Sequence, residues 1–367
     1  MTFDSWLEER LRALDQAGLL RRDDGARPGV WLDASSNDYL GFARTVSRAT
    51  PEGTAGAGAS RLIFGTHPEH LALEQALAEW VHAPAALLFS SGYAANVGLL
   101  GALAQPGQVI LSDALNHASI VDGCRLSRAE VRVTPHRDLS ALRAQLAQAQ
   151  QPAIVVTESY FSMDGDSPDL PELAELCERS AAFLVVDEAH ALGVYGPNGA
   201  GLCAAQGVRP DALVGTLGKA VGAQGAFVAG STRLRAWLWN RARSFVFSTA
   251  PSPALAALTL QQLDRTRAAD RERERLSHLA AALREALQSR GLRTLPESHG
   301  PIVPVLPPDA QGAARAERAL TEAGILARAI RPPTVPPGTE RLRLTAHADW
   351  AETDPERIAE TIAQAWR

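Results

Sequence analysis

A chain of 367 residues, 46% hydrophobic and 21% charged, has enough apolar material for a large core and room for more than one domain. Its formal charge of −5 and pI near 6.0 leave no basic footprint for nucleic acid, so small molecules are the expected partners. No window approaches the ~20 apolar residues of a membrane span, and Met1 to Arg10 is acidic and amphipathic where a secretion signal is cationic; the expected location is the cytoplasm.

In chain order, amphipathic helical spacing alternates with short continuous apolar runs, the pattern of a mostly parallel sheet buried between two helical layers. Helical periodicity covers residues 68–81, 94–103, 138–148 and 170–180, with Asp138 and Asp169 where helix starts favour acids. Strands are expected at 108–112, 131–134, 153–157, 183–186, 211–216 and 226–229, so residues 44–250 form one doubly wound α/β domain. After Pro251-Ser252-Pro253 come long Arg/Glu/Ala helices, a strand at 302–306, a helix at 313–323, a strand at 341–345 and a last helix running to Arg367. Residues 251–367 therefore form a smaller α+β domain. The charge run from Asp270 to Arg275 reads as the solvated face of a helix, and Pro332 to Gly338 as a rigid loop. Cys124, Cys177 and Cys203 have no CxxC spacing and read as small buried hydrophobes.

One lysine stands in this chain. Of its 36 Lys+Arg residues only Lys219 carries an amine, and only an amine can be deprotonated to form an imine. Lys219 follows the apolar run Asp211 to Gly218, just past a strand end, where open α/β sheets place their ligands. The run Phe183 to Val186 ends in Asp187-Glu188-Ala189-His190 and presents a carboxylate and an imidazole at the same edge. An amine for the imine and a carboxylate that keeps a pyridine nitrogen protonated are what pyridoxal 5'-phosphate requires. Ser90-Ser91-Gly92-Tyr93 leads from an apolar run into a helix and offers backbone donors to a phosphate. His117 opens another helix near a strand end, where a flat side chain can stack on a ring. Arg343, in an alternating strand, suits a bidentate grip on a carboxylate, or else a solvated strand face. The glycines at 56 and 58 lack a preceding strand and a third glycine, and His67 and His70 lack the HExxH spacing, which excludes a nicotinamide fingerprint and a zincin site.

Taken together, Ser36 to Gly41, Gly58 to Thr66, Asn116 to Ser119, Glu158 to Gly165, Val186 to His190 and Thr216 to Lys219 resemble the α-oxoamine synthases, pyridoxal-phosphate enzymes of the aspartate-aminotransferase fold. The resemblance implies a fold type I transferase: a mostly parallel seven-stranded sheet between helices, a smaller C-terminal α+β domain, and residues 1–43 packing with that small domain. It implies a cofactor imine on Lys219, Asp187 on the ring nitrogen, and His190 with Ser162 on the ring oxygen. Thr216 and the backbone of Gly92 and Tyr93 would hold the phosphate, and His117 would stack on the ring. Arg343 and Asn37 would meet the amino-acid carboxylate, and Arg21 with Thr334 would lie near the acyl substrate. The segment from Arg22 to Ser35 departs from the family, where a short strand pair is trimmed. Ala329 to Pro336 with Arg341 to Thr345 resembles the members that condense L-alanine with pimeloyl-CoA or a pimeloyl acyl carrier protein. Members using glycine or serine, and non-catalytic cofactor-binding regulatory domains, are the alternatives. The family resemblance also implies a homodimer with shared sites.

Overall fold

The computed structural model describes residues 1–17, 19–20, 31–44, 54–149, 152–309, 311–332, 335–336 and 338–367. Helix α1 (Phe3–Gln16) is followed by the short strand β1 (Leu32–Asp33) and by α2 (Pro68–Trp80). Strands and helices then alternate: β2 (Ala85–Phe89), α3 (Gly92–Leu103), β3 (Val109–Asp113), α4 (Ala118–Ser127), β4 (Glu130–Thr134), α5 (Leu139–Gln148), β5 (Ile154–Glu158), α6 (Leu170–Arg179) and β6 (Phe183–Asp187). Next come α7 (Gly201–Ala205), β7 (Ala212–Thr216), β8 (Ala226–Gly230), α8 (Thr232–Arg241), α9 (Arg243–Val246), α10 (Pro253–Arg267) and α11 (Asp270–Gln288).

Strands β2 to β8 form a seven-stranded sheet in the order β2-β8-β7-β6-β5-β3-β4. The β4-β3-β5-β6-β7 block is parallel, and β8 runs antiparallel between β7 and β2. The interior strands are buried on both faces, which is why they read as unbroken apolar runs. Each run ends in a polar residue: Asp113, Thr134, Glu158, Asp187 and Thr216 close the five parallel strands. Because the strands are parallel and in register, with Glu158 opposite Asp187 and Asp113 opposite Thr134, these polar ends collect along one edge. The crossover helices are capped by side chains that satisfy their first N–H groups: Ser91 for α3, Asp138 for α5 and Asp169 for α6.

The six expected strands of this sheet are present, shifted by a residue at most ends; β2, legible only as the apolar run before a helix, is the seventh. The C-terminal part adds β9 (Arg293–Thr294), β10 (Ile302–Leu306), α12 (Gly312–Glu322), β11 (Ile325–Leu326), β12 (Arg328–Ile330), β13 (Arg341–Thr345) and α13 (Asp354–Ala365). Its sheet has the order β12-β13-β10-β9 and is antiparallel throughout. The strand β1 pairs parallel with β11, Ala34 C=O accepts from Thr345 N–H at 3.0 Å, and Tyr39 C=O accepts from Ala348 N–H at 2.8 Å, so residues 32–39 are stitched to this sheet. One apolar cluster runs without a break from Tyr39 and Leu73 through Leu184 to Leu279, Val303 and Ile358.

The charge run on α11 is more than a solvated face. Arg273 donates to Thr266 C=O at 2.7 Å, and Arg275 donates to Ala348 C=O at 2.9 Å and to Trp350 C=O at 2.5 Å. These guanidiniums bind carbonyls at the chain turns, a use of arginine that no linear pattern reveals. The histidines of the α2 start are structural, with His70 Nδ1 accepting from His67 N–H at 3.2 Å. The three cysteines are free and buried.

Just after β4, His136 bridges Asp113 at 2.8 Å and Asp166 at 3.0 Å, and Arg137 ties Asp166 to Glu297 of the C-terminal part. Burial opposes charge on this imidazole, but hydrogen bonds to two carboxylates overcome it and lift its pKa from 6.5 to about 9. A pKa raised by folding contributes stability that is complete below pH 6.5 and is lost as pH rises through about 9. Thermal melting of the wild type should therefore fall across that interval, and His136→Gln should flatten the decline. An equal slope in the variant would assign the pH dependence elsewhere.

Candidate active site

Lys219 lies in the turn that joins β7 to β8. Leu217 N–H donates to Gly225 C=O at 2.9 Å and Gly222 N–H to Lys219 C=O at 2.9 Å, closing a tight loop beyond the strand end. Gly222 has φ of +69°, and a Cβ there would stand 2.5 Å from Ala43 N, so the turn packs against residues 42–43 only because this position is glycine. The lysine stem reaches inward from this turn, and Nζ comes 2.9 Å from His190 Nε2. Burial is the main force on the amine and lowers its pKa; the charges of Asp187 and Glu158 oppose the shift and Arg343 adds to it.

The four residues after Val186 divide their tasks by direction. Asp187 Oδ1 accepts from Ala189 N–H at 2.8 Å and Oδ2 from the Asn96 amide at 2.7 Å, which leaves lone pairs for a further donor. His190 is buried and its pKa is held well below the ordinary value, first by desolvation and then by the charges of Lys219, Arg343 and His117. Glu188 turns away: its carboxylate accepts from Leu202 and Cys203 N–H at 2.8 Å each and caps the start of α7. Asp187 and His190 are therefore the pair that faces the lysine.

His117, the N-cap of α4, is positioned from two sides. Its N–H donates to Glu158 Oε1 at 2.6 Å, at the end of β5, and its Nδ1 accepts from Ser119 N–H at 3.2 Å. Asn96 donates a second time, to Ser119 Oγ at 2.9 Å, so the Ser119 proton points to His117 Nδ1 at 2.8 Å. The imidazole then carries its proton on Nε2, and burial followed by the Lys219 charge lowers its pKa. A chain of hydrogen bonds thus joins the Asp187 carboxylate to the His117 ring through Asn96 and Ser119. Glu158 is driven upward in pKa by burial and by Asp187, against the pull of Lys219 and the His117 N–H.

At the other end of the cleft, α3 begins beside β7. A Cβ on Gly92 would stand 3.8 Å from Thr216 Cβ, which brings the start of α3 against the Thr216 side chain. Ser91 caps Ala94 N–H, so the first-turn N–H groups of Gly92 and Tyr93 remain as donors for an anion. From the C-terminal sheet, Arg343 on β13 is buried, which excludes the solvated strand face. Its Nε donates to Ser162 C=O at 2.6 Å, Nη1 to Thr345 Oγ1 at 3.1 Å and Nη2 to Asn37 Oδ1 at 2.9 Å.

The structure accordingly brings Lys219, Asp187, His190, His117, Thr216, Gly92, Tyr93, Ser162, Asn37 and Arg343 to one end of the large sheet. Ser162 enters through its carbonyl, and the ring nitrogens of His190 meet Lys219 and Tyr39. Arg21 and Thr334 lie outside the described residues. Sequence reasoning missed Asn96, Ser119, Glu158 and Tyr39 as site residues; Ser119, Glu158 and Tyr39 sit inside quoted motifs, whereas Asn96 lies in helical periodicity that reads as core. A separate crevice of about 860 Å³, lined by Val81, Leu103, Cys203 and Pro210, lies at the opposite ends of the strands and holds none of these groups. Replacing the double donor, Asn96→Ala, strips the buried Asp187 carboxylate of one partner and should cost ~1 to 3 kcal/mol in urea unfolding. A loss under about 0.5 kcal/mol would mean that water replaces the amide without penalty.

Comparison with known proteins places this geometry. An 8-amino-7-oxononanoate synthase of Marinobacter nauticus is 45% identical over 343 residues, covering 91% of this chain and 87% of its own. Another, of Anaeromyxobacter dehalogenans, is 46% identical over 370 residues, covering 95% of this chain and 93% of its own. A solved serine palmitoyltransferase of Sphingomonas wittichii superposes with a TM-score of 0.90 at 29% identity, covering 99% of this chain and 96% of that one. Residues 30–362 match the family described as aminotransferase class I and II, and the chain belongs to that family.

Proposed function

We propose that this chain is a pyridoxal 5'-phosphate-dependent acyltransferase with 8-amino-7-oxononanoate synthase activity, joining L-alanine to a pimeloyl thioester with loss of carbon dioxide, a step of biotin biosynthesis. The observation that carries the reading is the desolvated Lys219 amine, 2.9 Å from His190, in a site whose carboxylates include Asp187.

The residues present fit the cofactor. Lys219 would hold it covalently, the open lone pairs of Asp187 would take the ring nitrogen, and His190 with Ser162 would face the ring oxygen. Gly92 and Tyr93 N–H with Thr216 would hold the phosphate, and the His117 ring, open to the cleft, would stack on the ring face. When bound, the cofactor supplies an electron sink for charge released at an amino-acid α-carbon. Arg343 binds the amino-acid carboxylate through guanidinium edges that Asn37 and Ser162 C=O hold in place. Lys219 Nζ, whose pKa burial lowers to about 8, is the base that takes the α-proton. In the overall reaction the α-carbon of alanine bonds to the acyl carbon, the thiol carrier leaves with a proton, and the alanine carboxyl departs as carbon dioxide.

The exposed apolar side chains of Ile63 and Phe64, 81% and 80% accessible, support a homodimer that covers them. Among the described residues no helix is long and apolar enough to cross a membrane, in keeping with a cytoplasmic enzyme. Kinship in fold with a serine palmitoyltransferase keeps a sister synthase using serine or glycine as the second reading.

Incubation with L-alanine and pimeloyl-CoA or the pimeloyl carrier protein should release the thiol, carbon dioxide and 8-amino-7-oxononanoate. Glycine with acetyl-CoA, or serine with palmitoyl-CoA, should be much poorer; faster turnover of either pair would replace this reading by the second. Arg343→Lys should raise the KM for alanine by about 10-fold or more, because a point charge cannot reproduce two parallel hydrogen bonds. An unchanged KM would remove the arginine from substrate binding.

A further inference from the structure

Tyr39 is fully buried behind His190, on the side away from Lys219. Its hydroxyl lies 2.6 Å from His190 Nδ1 and 3.4 Å from Asn37 Oδ1, with the Arg343 charge close by. The hydroxyl has one proton to place between these two acceptors. Asn37 Oδ1 is distant and already takes Arg343 Nη2 at 2.9 Å, which leaves Nδ1 as the short and open acceptor. The buried, neutral imidazole then carries its single proton on Nε2, facing Lys219 Nζ at 2.9 Å. Only a neutral amine has a lone pair to accept it.

We propose that Tyr39 is a positioning residue which, through the tautomer of His190, holds the Lys219 amine in its neutral, nucleophilic form. A protonated lysine would need His190 to accept at Nε2 and to donate from Nδ1, and Tyr39 would have to swing its proton to the longer Asn37 contact. The charged groups facing Lys219 are Asp187 and Glu158, which favour the ammonium, and Arg343, which opposes it; His117 adds to the charges on the His190 side. Tyr39 therefore acts against two carboxylates without carrying a charge itself. The neutral amine is the form that captures a carbonyl carbon, so the tyrosine bears on cofactor loading as well as on proton removal. The inference rests on the Lys219 side-chain cluster and not on which substrates the enzyme uses.

Lys219 being the sole lysine, ¹⁵Nζ-lysine labelling gives one side-chain resonance, and its titration in the full chain freed of cofactor reads this amine alone. Tyr39→Phe should raise the midpoint by about 0.5 to 1 unit, the equivalent of one hydrogen bond, and slow pyridoxal-phosphate capture below that midpoint by a matching factor. In a His190→Asn background the same substitution should leave the midpoint unchanged, since the relay is already cut. An unshifted titration in folded Tyr39→Phe, or a shift that survives His190→Asn, would overturn the proposal. If the phenylalanine variant does not fold, histidine ¹⁵N shifts of the wild type decide: a bare Nδ1 on His190 supports the relay, and a protonated Nδ1 refutes it.

Discussion

Removing one primary amine from water at the C-terminal edge of a parallel sheet is the constraint around which the rest of this molecule is arranged. A buried ammonium is costly, and neighbouring carboxylates would restore the charge; the balance between the two sets the chemistry of Lys219. The sheet delivers the carboxylates as a matter of topology. Parallel strands in register end together, so the residues that close β5 and β6 necessarily stand side by side near the turn after β7. The C-terminal sheet delivers the opposing charge, with Arg343 fixed on β13 by bonds to Ser162 C=O and Asn37.

Each group that meets the cleft is oriented by one behind it. Asn96 spends both amide protons, one on Asp187 and one on Ser119, and thereby links the acid to the His117 ring. Glu158 holds the His117 backbone, Tyr39 holds His190, and Asn37 holds Arg343. These supports come from helix α3, strand β5 and the N-terminal segment, which is why the site needs residues 32–39 to be stitched to the C-terminal sheet. A cleft built this way defines its proton positions before any ligand arrives, since both ring nitrogens of His190 and Nδ1 of His117 already have partners.

The same scaffold serves the serine palmitoyltransferase to which this chain superposes, and the polar cluster accounts for the shared part of such chemistry rather than for the acyl chain. Distinguishing chain lengths in an apolar channel yields only ~1 to 3 kcal/mol per methylene, so a free terminal carboxylate on the acyl group would require its own polar partner.

The linear sequence by itself determined the fold class and singled out Lys219 and Asp187 at one edge of the sheet. Unbroken apolar runs ending in Asp, Glu or Thr specify buried parallel strands with a polar edge, and a lone lysine among arginines marks the position that must be an amine. Strands of two or three residues, such as β1, β9 and β11, were illegible because they are shorter than any period that could announce them. Asn96 was illegible for another reason: it sits in helical spacing, and nothing local says that its amide reaches an acid 91 positions away. Which Asp-Glu-Ala-His side chain faces the cleft and which caps α7, and whether Arg343 is solvated or buried, was decided only by tertiary structure. Hydrogen-bond partners depend on the direction of a side chain and on what another element places opposite it, and the Arg343 and Asn37 pair, 306 positions apart, exists only once both sheets have closed on the same cleft.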